Sequence, residues 1–233
     1  MCSDPSTLLS LFRLAWISDS AFPVGAFSFS LGLEGAIENG LVGDLETLEE
    51  YTIGALYGAA ECDGIALLEA FRALTNGDQQ RVIDADQRLL AFKAGEEARE
   101  MTLRMGKRLT DLIYSICPTP PTERFHRLVA EGMTAGCYPT AQAVAGYALV
   151  VGERALYAAH LYGVANTILS AALRLMRISH YDSQRLLYRL SPLCEELYEQ
   201  YGGLSMEDMT SFVPSMELAA SLHERGKSRL FMN

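Results

Sequence analysis

The sequence predicts an all-α fold: a single-domain bundle of about nine or ten helices spanning residues 1–233. Three observations carry that expectation. Apolar residues recur at helical spacing along almost the whole chain. No alternating strand pattern runs longer than four residues. The breaks between periodic stretches are helix punctuation, such as Asn39-Gly40, Asn76-Gly77 and Ser191-Pro192. A chain of 233 residues, 49% apolar, also buries a sizeable core without staples.

The first helix follows Ser6 and carries Leu8, Leu9, Phe12, Ala15 and Trp16. A segment broken by Pro23, Gly25 and Gly32 comes next, with Phe22, Phe27 and Phe29 in it. A second, short helix begins near Ser28 or Ser30 and stops at Asn39-Gly40; Phe29, Leu33 and Ile37 share one face of it, and Ser30, Glu34 and Glu38 another. Asp44 caps a long helix expected to reach about Leu74. Asp78 opens another, expected to continue to about Tyr114 through the charged stretch 93–108.

Cys-Pro-Thr-Pro-Pro at 117–121 is the clearest breaker. It is too short to separate freely moving domains, so it reads as a connection inside one domain. Helices follow over 122–131, 140–151 and 153–178. The last is apolar on most sides in its second half, which marks a central helix. Further helices run over 182–190 and, after Ser191-Pro192, to Tyr201. The tail reads as a helix to about Arg225, then Arg-Gly-Lys-Ser-Arg-Leu-Phe-Met-Asn.

The net charge of −10 is uneven. Residues 14–71 hold ten acids and no lysine or arginine, and the other 19 acids balance the 19 bases. Such a chain repels nucleic acid and anionic membrane, and its acidic third attracts cations or a basic protein. No apolar run has the length of a membrane span, and no signal peptide is visible, so the reading is a cytoplasmic protein. The five cysteines are odd in number and form no C-x-x-C, which argues against a disulfide framework or zinc knuckle.

Catalytic and metal patterns are missing. No two of His126, His160, His180 and His223 lie one helical turn apart. There is no phosphate-cradling glycine motif and no G-x-S-x-G. Carboxylates pair along helices, as in Glu34 with Glu38, but no E-x-x-H accompanies them. The expectation is a binding protein with no catalytic residues, no metal site and no cofactor. Two segments fit it. One is the aromatic stretch at 18–34, which either folds into the core or marks an interface. The other is the tail at about 226–233. There Arg229, Leu230, Phe231 and Met232 either dock on their own domain or order on meeting a partner.

The same stretches resemble the UreF family of urease accessory proteins. The likeness runs through S-D-S-A-F-P-V-G-A-F-S-F-S-L-G-L-E (18–34), E-E-A-R-E-M-T-L-R-M-G-K-R (96–108), S-A-A-L-R-L-x-x-I-S-x-x-D-S-Q-R-L-L (170–187) and M-E-L-A-A-S-L-H-E-R-G-K-S-R-L-F-M (216–232). The chain departs from the family at Cys137-Tyr138-Pro139, where a histidine often precedes the proline or apolar run. The resemblance implies an all-helical, dimeric, non-enzymatic scaffold. It would bridge a UreD/UreH-type protein and the GTPase UreG, which delivers nickel to the urease apoprotein. It implies that Arg229, Leu230, Phe231 and Met232 face the UreD/UreH-type partner. Glu34 and Glu38, held outward, and Lys107 are expected on the UreG side. Phe22, Pro23, Gly25, Phe27 and Arg174 are expected to shape the loop or the dimer. Two other function classes stay open. One is a regulator of UreG GTP hydrolysis supplying Lys107 or Arg174 in trans. The other is a small hydrolase using Ser28 or Ser30.

Overall fold

The computed structural model describes residues 7–210 and Phe231. Those residues form eleven α-helices and no strand. The helices are α1 (Leu8–Ser18), α2 (Leu33–Glu38), α3 (Leu45–Gly58), α4 (Ile65–Asn76), α5 (Gln79–Phe92), α6 (Glu96–Ile116), α7 (Pro120–Ala130), α8 (Tyr138–Ala148), α9 (Glu153–Leu175), α10 (His180–Leu190) and α11 (Leu193–Tyr201). The expected helix toward Arg225, and Arg229, Leu230 and Met232, lie outside the described residues.

Helix α9 is central, as its apolar sequence predicts. It touches α1, α2, α3, α4, α8, α10 and α11. Tyr157, Leu156, Ile168 and Leu169 on it are essentially inaccessible. By length and composition alone α9 passes for a membrane span, but half of that window is buried inside the bundle.

Of the two long expected helices, one is distorted and the other broken. The helix from Asp44 is continuous to Asn76, but residues Ala59–Gly64 form a π-helical segment. The wider turn carries Asp63 into the interior, and Gly64 admits the Tyr157 ring, which would lie 2.5 Å from a Cβ there. The helix from Asp78 breaks at Lys93, whose backbone turns extended before Gly95 starts α6. The Lys93 ammonium pairs with Asp63, so a buried ion pair overrides helical propensity at that point. The other helix starts lie within a few residues of those expected. Two begin earlier than expected: α7 has proline in its first turn at Pro120, and α10 opens on a capping box of Ser179 with Asp182.

Folding also neutralises part of the acidic first third. Glu49 receives Arg189 at 2.6 Å, Glu69 receives Arg81 and Asp63 receives Lys93. The acids that remain exposed include Asp19, Glu38, Glu46 and Glu50.

At Gly106, helix α6 packs directly on the backbone that leads into α8. A Cβ there would meet the Gly136 carbonyl oxygen at 1.9 Å. The departure at Cys137-Tyr138-Pro139 sits at this junction and is structural. The Asp86 carboxylate, fully buried, accepts from the Thr134 hydroxyl (2.6 Å), Gly136 N–H (2.8 Å) and Cys137 N–H (2.8 Å). Tyr138 N–H donates to Thr102. Burial pushes the Cys62 thiol up to about 12 and raises the Cys137 thiol too, so both are inert packing groups.

Candidate functional site: Phe231 beneath Arg174

The aromatic segment folds by assigning each phenylalanine a different environment. Phe22 is buried and meets Trp16 edge to face, with ring centroids 5.3 Å apart. Phe29 is buried in the same core. Phe27 is the exception, 72% exposed on a single 3-10 turn, Ala26–Ser28. Pro23 is exposed just before it. Gly25 has φ +86, and the Arg108 guanidinium lies where its side chain would be. The glycine therefore serves both the left-handed backbone and the close approach. Arg108, adjacent to the expected Lys107, was not singled out from sequence; only the contact identifies it.

After Phe29 the backbone makes a strained turn into α2. Leu31 has φ +54 and Gly32 φ +78. A leucine in the left-handed region needs outside support. Tyr51 on α3 supplies it, donating its hydroxyl to the Leu31 carbonyl at 2.7 Å. The turn buries Ser30 ahead of α2, whose N-cap is Gly32, with its hydroxyl oxygen accepting from Glu34 N–H at 3.5 Å. Ser30 thus has a local structural role.

Glu34 differs from expectation. It does not point outward: it is 6% exposed, and its carboxylate accepts the backbone N–H of Phe231 at 3.0 Å across 197 residues of sequence. Glu38, one turn later, is exposed. The i, i+4 spacing put both on one face, but the short helix ends at Glu38, and only its first turn faces the interior.

Phe231 itself is 4% exposed. It shares an apolar cluster with Leu33, Ala36, Leu48, Ile168 and Ala172, which joins α2, α3 and α9. Arg174, in the last turn of α9, covers it with the guanidinium carbon 4.0 Å from the ring centroid. The same guanidinium donates to the Phe27 carbonyl at 3.0 Å. Burial depresses the Arg174 pKa from its ordinary value, though an arginine stays charged throughout the working range. The helix C-terminus beneath it favours a cation.

The structure therefore gathers four of the residues singled out from sequence, Phe27, Glu34, Arg174 and Phe231, around one point. Lys107 is exposed on α6, which packs against α7 and α8 rather than α2. A carboxylate, an apolar seat and a guanidinium lid form a receptor for a backbone N–H bearing a large aromatic side chain. Among the described residues no group of three or more histidine, cysteine, aspartate or glutamate side chains is placed to hold a metal ion.

A sequence model of the UreF family matches residues 42–191. A protein of Yersinia enterocolitica, named urease accessory protein UreF, is 40% identical over 223 residues, covering 96% of this chain and 98% of its own length. Proteins of the same name from Yersinia pseudotuberculosis and Yersinia pestis are 40% identical over the same span.

Proposed function

The chain belongs to the UreF family of urease accessory proteins, and from that premise we propose that it is the scaffold that bridges a UreD/UreH-type protein and the GTPase UreG during nickel insertion into the urease apoprotein. An accessory role in urease maturation needs no catalytic residue of its own. The observation that carries the finer reading is Phe231, buried under Arg174 with its N–H on Glu34. A tail residue held this specifically acts as an anchor for the C-terminal segment. Phe231 is thus docked on its own domain rather than facing a partner, and Arg229, Leu230 and Met232, which flank it in sequence, are the proposed contacts to the UreD/UreH-type protein. The exposed Phe27 beside Arg174 is suited to a homodimer contact, since exposed aromatic side chains and arginine are enriched at interface centres. Glu38 and Lys107 remain available for UreG.

The test is assembly from purified components. This chain, the UreD/UreH-type protein and UreG are mixed in pairs and together, and masses are read by light scattering. One particle containing all three, formed only when this chain is present, is expected. UreG and the UreD/UreH-type protein associating equally well without it would overturn the bridging role.

A second reading has its own observation. Among the described residues Arg174 is tied to backbone carbonyls and a ring and to no carboxylate, which suits it to an incoming anion. Regulation of UreG GTP hydrolysis follows if that anion is the nucleotide phosphate. UreG turnover that is unchanged by this chain, or changed equally by Arg174→Ala, would remove this reading.

A further inference from the structure

One carboxylate holds the corner between α5 and α6. The π segment at Ala59–Gly64 brings Asp63 inward, and its Oδ1 takes the Lys93 ammonium at 2.5 Å. Lys93 stands where α5 ends, its backbone extended at ψ 90, and Gly95 then starts α6. The other oxygen of the same carboxylate meets a third group. His160 on α9 places its Nε2 3.9 Å from Asp63 Oδ2. The Gln142 side-chain oxygen accepts from His160 Nδ1 at 2.8 Å, so Nε2 is the bare nitrogen. It is buried and has no hydrogen-bond partner among the described residues. Two sets of lone pairs thus face each other in the interior, and a buried acceptor without a donor carries the cost of its lost water.

A proton at Nε2 removes that conflict and creates another. Asp63 then has two cationic partners and one charge to share between them. The imidazole is enclosed and cannot leave. Lys93 carries its ammonium on a flexible four-carbon stem, with part of the side chain open to water, and is the member that can swing out.

We propose that Asp63, Lys93 and His160 form an acid-released latch on the α5–α6 corner. A proton bound at His160 Nε2 is donated toward Asp63, the Lys93 ammonium is displaced to solvent, and residues 93–95 lose the tie that holds them in their turn. The surrounding groups leave the switching to this trio. Asp86 on α5 is engaged by Thr134, Gly136 and Cys137. Burial holds the Cys62 and Cys137 thiols protonated, and Glu61 acts on Cys62. Only Asp63 and Lys93 act by charge on the imidazole. Burial keeps that imidazole neutral through the ordinary histidine range, with Asp63 opposing and Lys93 reinforcing, so the latch is closed at neutral pH and opens on the acid side. Helix α6 carries Arg108 to Gly25 and Lys107 to the surface, so the corner sets the start of a helix that meets the aromatic segment.

The test is hydrogen exchange on the full chain, read by NMR at the Lys93 and Arg99 amides. These donate to the Leu90 and Gly95 carbonyls on the two sides of the corner. With intrinsic exchange corrected for pH, their protection should fall at least about tenfold between about pH 7 and about pH 5. Protection at Ile168 and Leu169, buried on α9, should stay level. In His160→Gln the fall should vanish. Lys93→Gln supplies a second arm if that variant fails to fold. With the competing cation removed, the His160 ring resonances should show the imidazole taking its proton at higher pH than in the parent. The inference is overturned if parent protection is equal at the two pH values, if it falls as far in His160→Gln, or if Ile168 and Leu169 lose protection with it. It is also overturned if Lys93→Gln leaves the imidazole titration where it was. The latch belongs to this chain alone, so these results stand apart from the assembly with UreG and the UreD/UreH-type protein.

Discussion

Replacing Phe231 by alanine isolates the anchor. The ring is 4% exposed, and burial of a phenylalanine side chain contributes about 1.5–3 kcal/mol. The Arg174 guanidinium, 4.0 Å from the ring centroid and on an exposed residue, adds about 0.5–1 kcal/mol. The N–H to Glu34 survives the substitution, because it belongs to the backbone. The loss is therefore about 2–4 kcal/mol, or roughly thirtyfold to a thousandfold in the docking equilibrium. Carbon-labelled methyl groups of Ala172 and Leu33, which share the Phe231 cluster, give the readout through ring-current shifts. In the parent these methyls should lie away from their ordinary positions, and in Phe231→Ala they should return. Identical methyl spectra for the two proteins would refute the docked ring.

Other substitutions test the frame that positions this site. Asp86→Ala leaves the Thr134 hydroxyl and the Gly136 and Cys137 N–H groups without their buried acceptor, so chemical denaturation should show a loss of about 3 kcal/mol or more. Gly106→Ala places a methyl against the Gly136 carbonyl and should cost about 1–3 kcal/mol, with the melting midpoint as readout. His160 is 4% exposed, and burial lowers its pKa below the ordinary 6.5, with Asp63 opposing and Lys93 reinforcing. Between the lowered folded value and 6.5 the unfolded chain binds more protons, so stability rises with pH there. The contribution is present above 6.5 and fades as pH falls through the folded value. His160→Gln should flatten the stability profile just below pH 6.5, and a profile unchanged by the substitution would contradict the buried neutral imidazole.

Much of the fold was legible in the sequence because helix punctuation is local chemistry. Asp44 and the glycines after Asn39 and Asn76 act through their own side chains or backbone freedom, so the chain states them directly. The misses are long-range. Nothing near Lys93 in sequence tells it to leave a helix; Asp63, thirty residues earlier and rotated inward by a π segment, does that. The placement of Glu34 follows the same logic. Helical spacing assigns it a face but cannot say that Phe231 will meet that face and turn a solvent carboxylate into a buried acceptor. Phe22 and Phe27 looked equivalent, yet one packs on Trp16 and the other faces water, a choice made by the left-handed Gly25 between them. The exposed side of α1, with Leu8 and Phe12 in water, was invisible for a different reason: periodicity reports which residues are apolar, not whether the fold supplies them a partner.

The most direct test of the bridging role is capture of the cognate UreD/UreH-type protein by this chain, intact and cut after Arg225. Capture by the intact chain and its loss on truncation is the predicted result, and it would place the binding energy in the anchored tail. Equal capture by both forms would move the interface elsewhere on the bundle, and capture by neither would contradict the scaffold reading itself.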